Sequence, residues 1–308
     1  MLSFIPIIFV VFIGYLTARY HILPEKSAEI FTRFTFFIAM PCQLFLAFSK
    51  TPINSILNFN YLFSFALTTL LIGSIIFIGS RFYAKQSLAE SALNIMGTSQ
   101  VNTAYFAIPF FILVFKNPTP VIPILLFQTL ILTSILIMLI EYDRKNTNKH
   151  KAYLIQNMLL VPVKNPIILA SILGFLFALF HISIFNTLFH CLNLIAITAA
   201  PLALISLGQS LHYDLKKVSK NELTEIIIIS FVKLIIFPLT AYLIGYYLFA
   251  LDHFWLISLI IMASMPTPKN MYIFAIQYQL NIKKSASVVA ITTLFSFVTL
   301  NLLLMIWH

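Results

Sequence analysis

Apolar residues recur along the whole chain in runs of membrane-crossing length, separated by short polar breaks. A helix needs about 20 mainly apolar residues to cross the hydrocarbon core of a bilayer. Runs of this kind lie near residues 1–19, 28–48, 60–82, 91–115 and 120–140. Five more follow a polar stretch, near 166–183, 187–211, 223–250, 254–280 and 285–307. The pattern predicts an all-α membrane protein with ten transmembrane helices. The first run has no basic segment before it and reads as a helix rather than a cleaved leader. Residues 141–164 form the only sizeable loop, a cytoplasmic linker. Within it Tyr153 to Val161 is apolar but too short to cross, and reads either as an interfacial helix or as plain linker.

Composition removes the soluble alternative. The chain is 60% apolar and 9% charged, against about 45–50% and about 25% in an average soluble domain. Its two cysteines, Cys42 and Cys191, both sit in apolar runs, so neither a disulfide framework nor a cysteine-built metal site is expected. No cofactor is expected either.

The net charge of +10 is informative through its placement. With ten spans and the N-terminus outside, the cytoplasmic breaks hold fifteen basic residues, from Arg19, Lys26 and Arg33 through to Lys283 and Lys284. The outer breaks hold only Lys50 and Lys116, and Lys233 and Lys269 fall inside spans. This is the positive-inside bias that orients membrane proteins, and it predicts both termini outside in an inner (cytoplasmic) membrane. Nucleic-acid binding would instead cluster the basic residues on one soluble face.

The two halves of the chain repeat each other. At an offset of 160, Pro6, Gly14, Ala18 and His21 meet Pro166, Gly174, Ala178 and His181, and Ala39, Pro41 and Leu44 meet Ala199, Pro201 and Leu204. At an offset of 168, Asn102, Phe106, Ala107 and Ile108 meet Asn270, Phe274, Ala275 and Ile276. Residues 1–140 are thus one five-helix repeat and 165–308 the second. Five is odd, so the second copy enters the membrane from the opposite face. Inverted repeats of this kind are typical of secondary transporters, which bind substrate near the midplane at discontinuous helices.

Candidate breaks lie in the fourth and ninth spans. The fourth carries a polar cluster, Gly97 to Asn102, before Pro109, and the ninth reads Pro266-Thr-Pro268-Lys269-Asn270. Two prolines two residues apart do not fit a continuous helix. Lys269 is a cation at mid-span, expensive enough there to be a functional residue by default. With a half-helix N-terminus beside it, it favours an anion. Asn102 and Asn270 join it as repeat-related lining residues. Lys233, five residues before Pro238, reads as structural, capping carbonyls that Pro238 frees or snorkelling to the interface. Gln43, Gln209 and Gln277 read as helix–helix glue. Pro41 and Pro201 read as kinks or hinges, and His21 and His181 as interfacial. All nine carboxylates lie in loops or at span ends, so bound Na+ would have to use carbonyls and neutral side chains. An arriving carboxylate at Lys269 offers a route for H+ instead.

These motifs resemble the auxin efflux carrier family of permeases along nearly the whole chain. The similarity is carried by Gly14-Tyr-Leu, Ala39-Met-Pro41-x-x-Leu44, Asn102-Thr-x-Tyr-Phe-Ala-Ile-Pro109, the stretch from Ala199 to Leu211, and Pro266-Thr with Asn270, Ala275 and Tyr278. The resemblance, which extends to prokaryotic members often labelled malate or malonate permeases, implies a scaffold domain and a transport domain. It also implies a fold shared with sodium–bile acid symporters and a crossing of broken helices 4 and 9. By that resemblance the crossing residues fall on Asn102, Pro109, Pro266 and Asn270. The chain departs from the family at Ala107, where a glycine is usual, and at Lys269, where a small or uncharged residue is usual.

The expected function is secondary active transport of a small organic anion by alternating access. Asn102, Thr103, Pro266, Pro268, Lys269 and Asn270 are the expected substrate residues, and Pro41, Pro109 and Pro201 the helix-break or hinge positions. Expected partners are the lipid bilayer and the anion, with H+ or Na+ as coupling ion and a homodimer allowed. The alternatives are a uniporter, channel or receptor on the same fold, or a membrane enzyme. The enzyme is the weakest, because no His-x4-Asp pattern supplies an acid–base pair.

Overall fold

The computed structural model describes residues 5–24, 26–49, 58–144, 166–214 and 220–307. Most of the 141–164 linker, with the 153–161 stretch, lies outside them. The described residues are helical, with no strand among them. In chain order the helices are α1 (Ile5–Arg19), α2 (Ser27–Ser49), α3 (Phe59–Tyr83), α4 (Leu88–Ser99), α5 (103–115) and α6 (Val121–Asp143). They continue as α7 (Pro166–Leu179), α8 (Asn186–Ala196), α9 (Ala199–Asp214), α10 (Glu222–Leu248), α11 (His253–Ala263), α12 (Asn270–Gln277) and α13 (Ile282–Trp307).

Seven stretches are long and apolar enough to cross a bilayer, with α4–α5 and α8–α9 each counted as one. The expected count of ten exceeds this because α1 and α7 have 15 and 14 described residues, and because the ninth run is split into α11 and α12. The chain is an integral, multi-pass membrane protein. Large apolar side chains such as Phe12, Phe63, Leu70, Phe231 and Phe295 point outward, where hydrocarbon rather than water meets them.

Prolines are absorbed by widened turns. Pro41, Pro109 and Pro238 each follow a π-helical turn, at Thr35–Ala39, Thr103–Ala107 and Val232–Ile236. A proline has no N–H to donate to the i−4 carbonyl, and the wider turn moves that clashing carbonyl aside. At Pro201 the solution differs: the helix is interrupted at Ile197–Thr198 and Pro201 sits in the first turn of α9, where its missing N–H costs nothing. His21 and His181 take the same left-handed conformation, φ 53° and 52°. In each case the next N–H closes the helix end, Ile22 on Thr17 at 3.0 Å and Ile182 on Phe177 at 2.8 Å. The two histidines are therefore helix stops.

Two groups of helices result. α1 packs along α9, and α7 along the second half of α2; α8 and α9 also contact α2. The other group is α3–α6 with α10–α13: α4 contacts α3 and α6, α10 contacts α11 and α13, and α12 contacts α13. Glycines allow the first group its closest approach. A Cβ on Gly208 would lie 1.9 Å from the Val11 carbonyl oxygen, and one on Gly14 2.2 Å from that of Ile205. Gln209 adds polar glue here, donating to the hydroxyls of Thr17 and Ser27 at 3.2 and 3.0 Å. Gln43 is half-buried, and the Gln277 side chain lies outside the described ones. α4 is the most enclosed element: Ser91 to Asn102 are all buried. A Ser87–Glu90 capping box starts it, satisfying two otherwise orphaned N–H groups.

One basic helix end differs from its expected role as an exposed topology charge. Lys284 is buried and bonds Glu225 at 2.6 Å, and Glu225 also accepts from Gln86 at 2.9 Å. A buried ammonium needs such a partner.

Candidate functional site

The helical ladder stops at Gln100–Asn102 between α4 and α5, and at 264–269 between α11 and α12. These two breaks touch. The Asn102 N–H donates to the Pro266 carbonyl at 2.9 Å, and the Thr267 hydroxyl donates to the Gly97 carbonyl at 2.6 Å.

Unwound backbone inside a membrane protein must find partners other than lipid, and neighbouring side chains supply them. Gln128 of α6 pairs with Val101 on both sides, accepting from its N–H at 2.7 Å and donating to its carbonyl at 3.3 Å. The Gln100 amide donates to the Thr133 hydroxyl at 2.9 Å. On the second break, Thr267 N–H donates to the Thr292 hydroxyl of α13 at 3.2 Å.

Lys233 belongs to this scaffolding. Its side chain is fully buried, and its Nζ donates to the Ala263 carbonyl at 3.2 Å while lying 4.3 Å from the centre of the Phe237 ring. The carbonyl it caps is freed by the 264–269 break of another helix, not by Pro238 as the sequence suggests. A positive charge at the C-terminal end of half-helix α11 also complements its dipole.

Beside the crossing lies a cavity of about 490 Å³. Of the six expected substrate residues, Asn102, Thr103, Pro268, Lys269 and Asn270 line it. Pro266 does not; it is buried behind the crossing, where its carbonyl holds Asn102. Lys269 is half-buried rather than enclosed, and Asn270 is exposed. The Lys269 Nζ lies 6.0 Å from the centre of the Tyr105 ring. Asn102 is 2% exposed. Its side-chain oxygen accepts from Tyr105 N–H at 3.2 Å and caps α5, while its side-chain NH2 is buried without a hydrogen-bond partner. A buried donor left open costs about 1–3 kcal/mol. The helix-break prolines stay outside the cavity: Pro109 is buried in α5, Pro41 half-buried and Pro201 exposed.

Sequence reasoning missed Arg33, Gln100, Tyr105, Gln128 and Thr133, all of which line the cavity. A glutamine and two threonines in the apolar run 121–143 were the available signal for α6. The described lining residues include no carboxylate. The lining reaches Arg33 near the start of α2 and Ile137 towards the end of α6.

A family model described as "Membrane transport protein" matches residues 1–304. Two curated relatives match over nearly their full lengths. A Rhizobium meliloti protein named "Putative malonate transporter" is 25% identical over 303 residues, covering 97% of this chain and 93% of that one. An uncharacterized transporter of Methanocaldococcus jannaschii is 26% identical over 298 residues, covering 96% and 95%. Both names point to transport rather than to an enzyme. With the full-length match and the apolar helices that surround the crossed breaks, the chain belongs to the membrane transport protein family, that of the auxin efflux carriers.

Proposed function

We propose that this protein is a secondary transporter that moves a small organic anion across the inner membrane by alternating access. The cavity at the crossing carries the proposal. It brings Lys269, Asn102 and Asn270 around one space, and its described lining has no carboxylate to repel an anion. The malonate named for the Rhizobium meliloti relative is a small anion of suitable size.

Reciprocal packing supports the inverted-repeat reading. α1 on α9 and α7 on α2 are the same pairing exchanged between halves, and the matched His21 and His181 stops fit it. On that reading ten helices cross as two five-helix repeats, 1–140 and 165–308, with both termini outside. A fluorescent protein fused after His308 then stays dark, because it folds only in the cytoplasm; a bright fusion overturns the orientation.

Uptake of radiolabelled malonate into proteoliposomes, under imposed H+ and Na+ gradients in turn, tests transport and names the coupling ion. Asn102→Asp is the informative variant. It keeps an acceptor for the Tyr105 N–H and so keeps the α5 cap, but it replaces the open donor with a negative charge. Uptake is expected to fall at least about tenfold, and the unfolding temperature to fall as well, because the new carboxylate is buried without a cationic partner. Normal uptake by this variant would remove Asn102 from the substrate site.

A further inference from the structure

A second groove, of about 400 Å³, shares no lining residue with the cavity at the crossing. It lies between α10, α11 and α13. Its floor is buried: Leu234 and Pro238 of α10, Ile260 of α11 and Ser264 just beyond it. Its rim is Ile235 and Leu239 of α10 and Leu302 of α13, which are 46%, 52% and 55% exposed. On membrane-crossing helices such side chains meet lipid. The aliphatic hydroxyls in the lining are turned back on their own helices, Ser264 donating to the Ile260 carbonyl at 2.7 Å and Thr299 to that of Ser296 at 3.3 Å. Their protons are used, so the walls ask for a ligand without hydrogen-bonding groups.

Tyr242 belongs to the lining and starts a tyrosine ladder. Its ring stacks on that of Tyr246, with centres 5.7 Å apart, and Tyr246 meets Tyr247 edge-on at 4.9 Å. Tyr246 and Tyr247 are exposed in the last turn of α10, where amphipathic rings sit at headgroup level. Leu234 is the lining residue of α10 farthest from Tyr242, eight residues back. That is about 12 Å at the helical rise, against about 15 Å of hydrocarbon in one leaflet. Two lining residues are also chain neighbours of the pair that caps the broken helix. Leu234 follows Lys233, and Ser264 follows Ala263, whose carbonyl accepts from the Lys233 Nζ at 3.2 Å.

We propose that this groove binds one acyl chain of a membrane phospholipid, with its glycerol end at the tyrosines and its tail against Leu234 and Ser264, and that the chain braces the Lys233–Ala263 cap. The walls select the occupant: apolar, slender, about one leaflet long and in need of no hydrogen bond. Lipid chains are what a bilayer brings to this face. A chain gains no hydrophobic energy by leaving other chains. It gains many small dispersion contacts with walls held in place on three helices. The inference is independent of what the protein transports.

The test places the full-length protein in phosphatidylcholine liposomes doped with a phosphatidylcholine that carries a photoreactive diazirine, either at the end of one chain or next to the glycerol. Crosslinked peptides are then mapped by mass spectrometry. The tail probe is expected to label Leu234 and Ser264, and the glycerol-end probe Tyr242, each above the exposed α3 positions Leu70 and Leu71. Thr299→Phe puts a ring into the groove and lowers the tail label at Ser264 at least about fivefold. Val298→Phe, at the exposed neighbouring position outside the lining, leaves that label unchanged. In detergent, added phosphatidylcholine slows amide exchange across residues 264–267 in the wild type and not in Thr299→Phe, because the chain binds the closed form. Should Thr299→Phe fail to fold, Leu303→Phe takes its place from the half-buried neighbouring wall. The site is overturned if the wild type labels Ser264 no more than Leu70, the result for surrounding lipid alone, or if a folded groove-filling variant keeps the label. Exchange that does not respond to phosphatidylcholine overturns the brace.

Discussion

Lys269→Ala is expected to abolish carboxylate uptake, lowering it at least about a hundredfold, while the protein folds and unfolds much as the wild type does. The size follows from the setting. Losing one partner of a charge pair that is shielded from water costs about 2–5 kcal/mol, roughly 30-fold to more than a thousandfold in affinity. Lys269 is half-buried on a cavity whose described lining holds no acid, and it immediately precedes Asn270 at the start of α12. The N-terminal N–H groups of that helix add positive potential in the same place. Folding is largely spared because the crossing is braced by other groups: Gln128, Thr267, Thr292 and Lys233. Lys269→Arg keeps the charge and is expected to retain part of the uptake. An alanine variant that binds the same anion with wild-type affinity would exclude the counter-charge role.

Gly208→Val is expected to prevent the protein from folding, seen as loss of monodisperse protein after solubilisation. The first added carbon would sit 1.9 Å from the Val11 carbonyl oxygen and 2.8 Å from the Tyr15 nitrogen, and both are backbone atoms. Side chains can rotate away from an intruder, but two packed helices can only separate. Separation forfeits the close contact that holds membrane helices together in the absence of a hydrophobic force between them. At the reciprocal position a Cβ on Gly14 would lie 2.2 Å from the Ile205 oxygen, so the whole α1–α9 interface is set at this spacing. Overpacking typically costs about 1–3 kcal/mol when side chains can yield, and here they cannot. Gly79→Ala is the matched control. Nothing lies within 4 Å of a Cβ placed there, so unfolding temperature should be unchanged or slightly higher. A well-folded Gly208→Val protein would mean that α1 and α9 are not packed backbone to backbone.

Much of this molecule is legible from short-range patterns. Apolar run length and the scarcity of charge identify membrane helices because hydrocarbon leaves a helix few other options. Pro266-Thr-Pro268 announces a break because proline lacks the N–H that the ladder needs. Asn102, Lys269 and Asn270 stand out because polar groups are costly in such runs. All of these are properties of a residue and its near neighbours.

Which partner each exposed backbone group finds is a different matter. Lys233 could have served Pro238, five residues away, but it bonds Ala263, thirty residues on. Pro266 and Pro268 look interchangeable in sequence; packing turns one towards Asn102 behind the crossing and the other into the cavity. Arg33 and Lys284 both look like topology charges, yet one lines the cavity and the other is buried against Glu225. By itself the sequence determined the membrane setting, the helices, the two breaks and the family. The tertiary structure alone decided which backbone groups pair where the breaks meet, what braces them and which cations share one cavity. The physical reason is that helix formation and proline breaks depend on neighbouring residues, whereas a hydrogen bond or a shared cavity depends on distances between segments brought together only by folding.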